Sequence, residues 1–209
     1  LFKHTKISSN HINYFYGFQV QPEASVDYLA PEFANQITLI DNIIKNLNFK
    51  ERLVLKDHPG ETNLFGLMRK ISYLFNPKVV YLKTNISIFD SLKNISGAIT
   101  ITGTLGGELA LNNIKTVSLK PVFYNKLRYS VFKETLNEAF DELRNEKSNC
   151  NPLKLDNDSF MLDLDKKVIR LNDSDLREKA PSIFTERPSS ETSKHYTHIP
   201  TYKVVQDMK

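Results

Sequence analysis

Three short stretches of the 209-residue chain gather the residue types that chemistry on a phosphorylated ligand requires. They are "QPEAS" (21–25), "DHPGE" (57–61) and "TGTLGGE" (102–108). In the last, Gly103, Gly106 and Gly107 would let the backbone come close to a ligand, and Thr102 and Thr104 supply hydroxyl donors. A helix starting just after them would turn unpaired N–H groups and partial positive charge toward a phosphate. Glu108, one turn into that helix, could accept hydrogen bonds from a ribose. A plain glycine-containing turn closing a βα unit, with Glu108 on a solvated face, is equally compatible with this stretch alone.

His58 can donate a hydrogen bond to a phosphate oxygen and, when protonated, can neutralise or protonate a departing phosphate. Pro59 removes a competing backbone donor and stiffens the loop behind it. Taken alone, a His-Pro pair fits a surface histidine capping a turn better than a ligand contact. Glu23 follows a strand directly, where a carboxylate suits acid–base work or a grip on a sugar hydroxyl, and where a solvated loop carboxylate is also ordinary. Other candidates carry less. His195 and His198 have no supporting ligands nearby for a metal, Asp163-Leu164-Asp165 belongs to a generally acidic stretch, and nothing around Cys150 would activate a thiol.

The elements that must position the three stretches can be read from hydrophobic periodicity. "YFYGFQV" (14–20) is aromatic and β-branched and ends before Gln21-Pro22, which predicts a strand with a proline-fixed exit. From Pro31 the residues Phe33, Ile37, Ile40, Ile44 and Leu47 recur at helical spacing. Strands are then predicted at "RLVLK" (52–56), "KVVYLK" (78–83), "GAITITG" (97–103) and "KTVSL" (115–119). Helices are predicted between them, carrying Leu64 to Leu74, Ile86 to Leu92 and Leu105 to Asn112. Such alternation predicts an α/β fold, a Rossmann-like doubly wound parallel sheet, in which ligands bind beyond the carboxyl ends of the strands. All three stretches fall at that edge. A long amphipathic helix is expected over 127–146, with Val131, Phe132, Leu136, Phe140 and Leu143 on one side. The division expected is a Rossmann-like domain over 1–149 and a polar extension over 150–209. That extension would hold a short strand-like or helical patch at "FMLDLDKKVIRL" and a loosely ordered tail from Pro181.

Composition limits what such a domain can do. With 40% hydrophobic and 25% charged residues the chain is of the soluble globular kind. A formal charge of +4 without basic runs suits an anionic small ligand or anionic membrane surface and does not argue for nucleic acid. The single Cys150 excludes an internal disulfide framework, which agrees with a reducing cytoplasm. The chain opens on Leu1 rather than Met, so more protein is expected upstream.

Taken in order, "FYGFQVQPEAS", "LVLKDHPGE" and "AITITGTLGGELALNNIKTVSL" resemble the C-terminal half of the bacterial capsular polysaccharide biosynthesis and export family, whose members are similar to Kdo transferases. The resemblance covers residues 13 to about 125, and order, spacing and strand context agree in it. It implies the C-terminal, nucleotide-sugar-binding domain of a GT-B glycosyltransferase, metal-independent and without a cofactor. The donor would be a CMP-linked sugar such as Kdo, and the acceptor a glycan or glycolipid. In related CMP-sugar enzymes a His-Pro pair and a hydroxyl-bearing loop meet the donor phosphate, and a glutamate lies near the ribose. These elements match His58-Pro59, Thr102 to Thr104, and Glu108; the family's Gln-Pro element matches Gln21-Pro22, beside Glu23. The implied partners are an N-terminal domain or capsule-assembly proteins, and the implied place is the cytoplasm or the inner face of the plasma membrane. The alternatives are a nucleotide-sugar epimerase or polyol-phosphate transferase of the same fold, or a non-catalytic export or scaffold protein.

Overall fold

A computed structural model describes residues 7–21, 24–58, 67–82, 87–145, 151, 153–169 and 203–204. The chain divides into two compact units, Leu1–Asn157 and Asp158–Lys209.

The first strand, β1 (Ile12–Gly17), points Tyr14 and Tyr16 to one face and Phe15 to the other, following the two-residue period of a strand. A strand buried on both faces needs a layer against each. The first helix, α1 (Gln36–Asn46), starts later than its apolar spacing predicts. Asn35 caps it, its side chain accepting from the Thr38 N–H at 3.1 Å. Pro31–Phe33 forms a separate 3-10 turn, preceded by Ala30, which offers no side-chain cap. There follow β2 (Glu51–Lys56), α2 (Leu67–Leu74), β3 (Val79–Leu82), a 3-10 helix (Phe89–Asn94), β4 (Gly97–Thr100), α3 (Thr104–Leu111) and β5 (Thr116–Ser118).

The helix expected over 127–146 is a correction. Its first part is a sixth strand, β6 (Ser130–Phe132), and only Leu136–Arg144 is helical (α4). Ser130, Val131 and Phe132 pair in parallel with Thr116, Val117 and Ser118 of β5. Helix begins only at a reciprocal capping box, in which the Thr135 hydroxyl accepts from the Glu138 N–H and the Glu138 carboxylate accepts from the Thr135 N–H.

The six strands lie in the order β3-β2-β1-β4-β5-β6, and every neighbouring pair is parallel. That is the doubly wound, Rossmann-like order, as expected from the alternation of elements. Leu39, Ile40 and Ile43 of α1, Tyr73 of α2 and Phe140 of α4 pack on the face that carries Tyr14, Tyr16, Leu53, Leu55 and Ile99. Leu109 of α3, with Ile88 and Ile95, covers the face that carries Phe15, Val54 and Ala98.

Ion pairs tie α4 to this frame. Arg144 grips the buried Glu51 carboxylate at the start of β2 with Nε at 2.9 Å and Nη2 at 2.8 Å, and the Asn48 N–H donates to the same carboxylate at 2.7 Å. The buried Lys115 pairs with Glu142 at 3.1 Å. After α4 the chain returns to the same unit: the Leu155 N–H donates to the Lys126 carbonyl and the Arg128 N–H to the Leu155 carbonyl. The "FMLDLDKKVIRL" patch is helical through α5 (Asn157–Lys167) and then enters β7 (Val168–Ile169), which pairs antiparallel with β8 (Lys203–Val204). Apart from β8, the tail from Pro181 lies outside the described residues. Among the described residues no helix is long and apolar enough to cross a membrane.

Candidate functional site

Because β1 lies between β2 and β4 and all three run the same way, their exits lie side by side on one edge of the sheet. Winding reverses between β1 and β4, so the exits of these two strands flank the switch-point crevice, the ordinary ligand position of such folds. One side is Phe18 to Gln21 and the other is Ile101 to Gly103, with α3 rising from it. His58 is exposed just past the end of β2. Pro22, Glu23 and Pro59 lie outside the described residues.

Gln19 spans the crevice. It is 7% exposed, and a buried amide must find partners. With its amide turned so that donors meet acceptors, its side-chain oxygen accepts from the N–H groups of Ile101 and Thr102 at 3.2 Å and of Gly103 at 3.3 Å, and its nitrogen donates to Thr102 Oγ1 at 3.0 Å; the Gly103 N–H also reaches Thr100 Oγ1 at 3.2 Å. The Gln19 main chain is held as firmly: its N–H donates to Gln36 Oε1 at 2.9 Å, and its carbonyl accepts from Gln36 Nε2 at 2.8 Å. Gln36 is also buried, at the start of α1, and takes a further bond from the Tyr16 hydroxyl at 2.9 Å.

Gln21 is used within its own loop. Its amide nitrogen donates to Asp27 at 2.6 Å and to the Ala34 carbonyl at 2.7 Å, while its oxygen accepts from Gln36 at 2.9 Å. Thr102 is half-buried against Gln19, and Thr104 and Glu108 are exposed on α3, four residues apart and hence on one face of the helix. The glycines of the loop have packing reasons of their own. A Cβ on Gly106 would lie 2.7 Å from both Thr100 Cγ2 and the Tyr124 hydroxyl, and one on Gly107 would lie 3.0 Å from the Tyr124 ring. Gly103 adopts an ordinary extended conformation (φ −61°, ψ 138°) and caps α3 without a side-chain hydrogen bond. Helix and sheet thus approach closely, as where a glycine admits a helix against a strand.

Tyr124, on the 3-10 turn after β5, supports the loop from below. Its hydroxyl donates to the Gly103 carbonyl at 2.7 Å, and burial pushes its phenol far above the ordinary tyrosine value. Lys120, just after β5, pairs with Glu32 of the 3-10 turn that precedes α1. Gln19, Gln36, Thr100 and Tyr124 are residues that loop motifs alone do not single out. Gln19 did leave a signal: an amide inside the apolar run "FYGFQV", at a strand end, has to be paired if it is buried. A groove of about 460 Å³ lies elsewhere, between the C-terminal turns of α1 and α2 near Ile44, Lys45 and Tyr73, toward the opposite edge of the sheet.

These features define a Rossmann-like α/β domain with a polar, internally braced crevice at its switch point. No family model matches the sequence, and no curated protein matches it. Among solved structures, the chain is similar to a Listeria monocytogenes protein provisionally described as a UDP-N-acetylglucosamine 2-epimerase, with a TM-score of 0.48 and 12% identity. The match covers 76% of this chain and 44% of that one, so this chain spans less than half the length of that neighbour.

Proposed function

We propose that the domain binds a nucleotide sugar and serves as the donor-binding part of a GT-B glycosyltransferase in bacterial capsular or surface polysaccharide synthesis. The donor would be a CMP-linked sugar such as Kdo, passed to a glycan or glycolipid acceptor. One observation carries the reading: β1, β2 and β4, the strands that the three stretches follow in sequence, end on one edge of a doubly wound sheet, and β1 and β4 flank its switch point. The start of α3, which has no side-chain cap, supports a phosphate there.

In this reading the Thr102 to Thr104 segment and the first turn of α3 hold the donor phosphate, and Glu108 accepts from ribose hydroxyls. His58, at the end of β2, donates to a phosphate oxygen. As the sugar–phosphate C–O bond breaks, negative charge grows on that phosphate, and an imidazolium there would neutralise or protonate it. Glu23 would face the sugar. An N-terminal domain or a capsule-assembly protein would supply the acceptor side, at the inner face of the plasma membrane.

Calorimetric titration of the full chain with CMP, UDP and GDP is the test. Binding of CMP is expected, and His58→Ala should weaken it by about 1.5–3 kcal/mol, the range for a hydrogen bond to a charged group. No binding of any of the three by a folded sample would overturn the reading, and unchanged affinity would remove His58 from it. A product assay with activated sugars and CDP-glycerol then separates sugar transfer from epimerisation and from polyol-phosphate transfer.

A further inference from the structure

The N–H groups of Ile101, Thr102 and Gly103 converge on one point, a concave arrangement of donors that commonly receives an anion. With the Gln19 amide oriented to match these donors, its side-chain oxygen fills the cradle, and at the Gly103 N–H it shares the role of acceptor with Thr100 Oγ1. The Gln19 main chain is fixed at this point, because both its N–H and its carbonyl are bonded to Gln36, itself buried and bonded to Tyr16. The Gly106 N–H is bonded to the Gly103 carbonyl at 3.0 Å. The first-turn N–H groups of Thr104 and Leu105 have no acceptor inside the helix.

We propose that Gln19 is a positioning residue: it bridges β1 and β4, occupies the donor cradle of the 101–103 loop, and so directs an anionic ligand to the first turn of α3. The loop is then a brace, and the helix start is the contact. Two further contacts agree with this. Leu105 reaches back over the end of β1, where a Cβ on Gly17 would lie 3.2 Å from its Cδ2, so the first turn of α3 sits over the seam that Gln19 crosses. Tyr124 holds the Gly103 carbonyl, so the loop is fixed from two sides. The identity of the ligand rests on the nucleotide-sugar reading; the role of Gln19 rests on the loop geometry.

Two variants of the full chain separate these. Gln19→Met keeps the length of the side chain and removes the acceptor. Gln19→Glu keeps an acceptor and the shape and adds a negative charge beside the ligand. Amide hydrogen exchange at Ile101 and Thr102 is measured for each, together with CMP, UDP and GDP titrations. In Gln19→Met, exchange at these amides should accelerate by about tenfold or more, and nucleotide binding should weaken. In Gln19→Glu, protection should be kept while binding weakens by about tenfold or more through charge repulsion. A residue that only supports the fold would move both readouts together in both variants. Unchanged protection in a folded Gln19→Met, or wild-type affinity in Gln19→Glu, would overturn the proposal. If the wild-type chain binds none of the nucleotides, the nucleotide reading falls, and the protection pattern still decides the part played by Gln19.

Discussion

At the scale of single residues, the glycine-rich loop shows how one residue type serves two ends. By sequence, Gly106 and Gly107 suggest close approach of a ligand; in the fold they admit Tyr124 and Thr100 against α3. That cause was invisible in the sequence, because it depends on an aromatic side chain from the turn after the next strand. Gly106→Ala is expected to destabilise by about 1–3 kcal/mol, the range for overpacking, since its Cβ would meet side-chain atoms that are themselves packed. Denaturant unfolding measures this, and an unchanged midpoint would refute the packing account. Tyr124→Phe should cost less, about 0.5–1.5 kcal/mol, for the loss of one hydrogen bond to the Gly103 carbonyl. The place of His58, by contrast, was legible, because a position just past the end of β2 follows from the strand pattern alone.

At the scale of elements, α4 is the informative case. Its apolar residues were legible, and its start was not. "RYSVFK" satisfies a helical spacing and a short strand equally, and the choice is made by pairing with β5, a long-range contact. The capping box at Thr135 and Glu138 was the local signal for the true start. What holds α4 in place is the grip of Arg144 on Glu51. Burial alone would raise the Glu51 carboxyl, but the Arg144 guanidinium, the Asn48 N–H and the Tyr14 hydroxyl together hold it below the ordinary carboxylate value. A carboxyl depressed in the folded state stabilises in full above its unfolded value, about pH 4.3, and that part is lost as pH falls through the folded value. Glu51→Gln should therefore flatten the loss of stability below about pH 4, as read by thermal melts across pH. Arg144→Ala should cost about 2–3 kcal/mol at neutral pH, less than for a fully enclosed pair because Arg144 is 32% exposed.

At the scale of the whole molecule, the sheet was legible from alternation alone, because a parallel sheet imposes a strand–helix rhythm that survives errors at element ends. Shifts such as β1 ending at Gly17, and α1 beginning at Gln36, did not disturb it. The bracing of the crevice was less legible, since it joins side chains distant in sequence. Native-state hydrogen exchange should follow strand order: slow in β2, β1, β4 and β5, which have paired neighbours on both sides, and faster in the edge strands β3 and β6. Equal protection across the sheet would contradict that order. The central place of β1 also has a consequence during synthesis. Its partner β2 leaves the ribosome early, whereas β4 and the loop that Gln19 holds lie some 80 residues downstream of β1. A nascent chain therefore carries β1 with one unpaired edge until Gly97 to Gly103 have been made, and the switch-point crevice is the seam along which that edge finally closes.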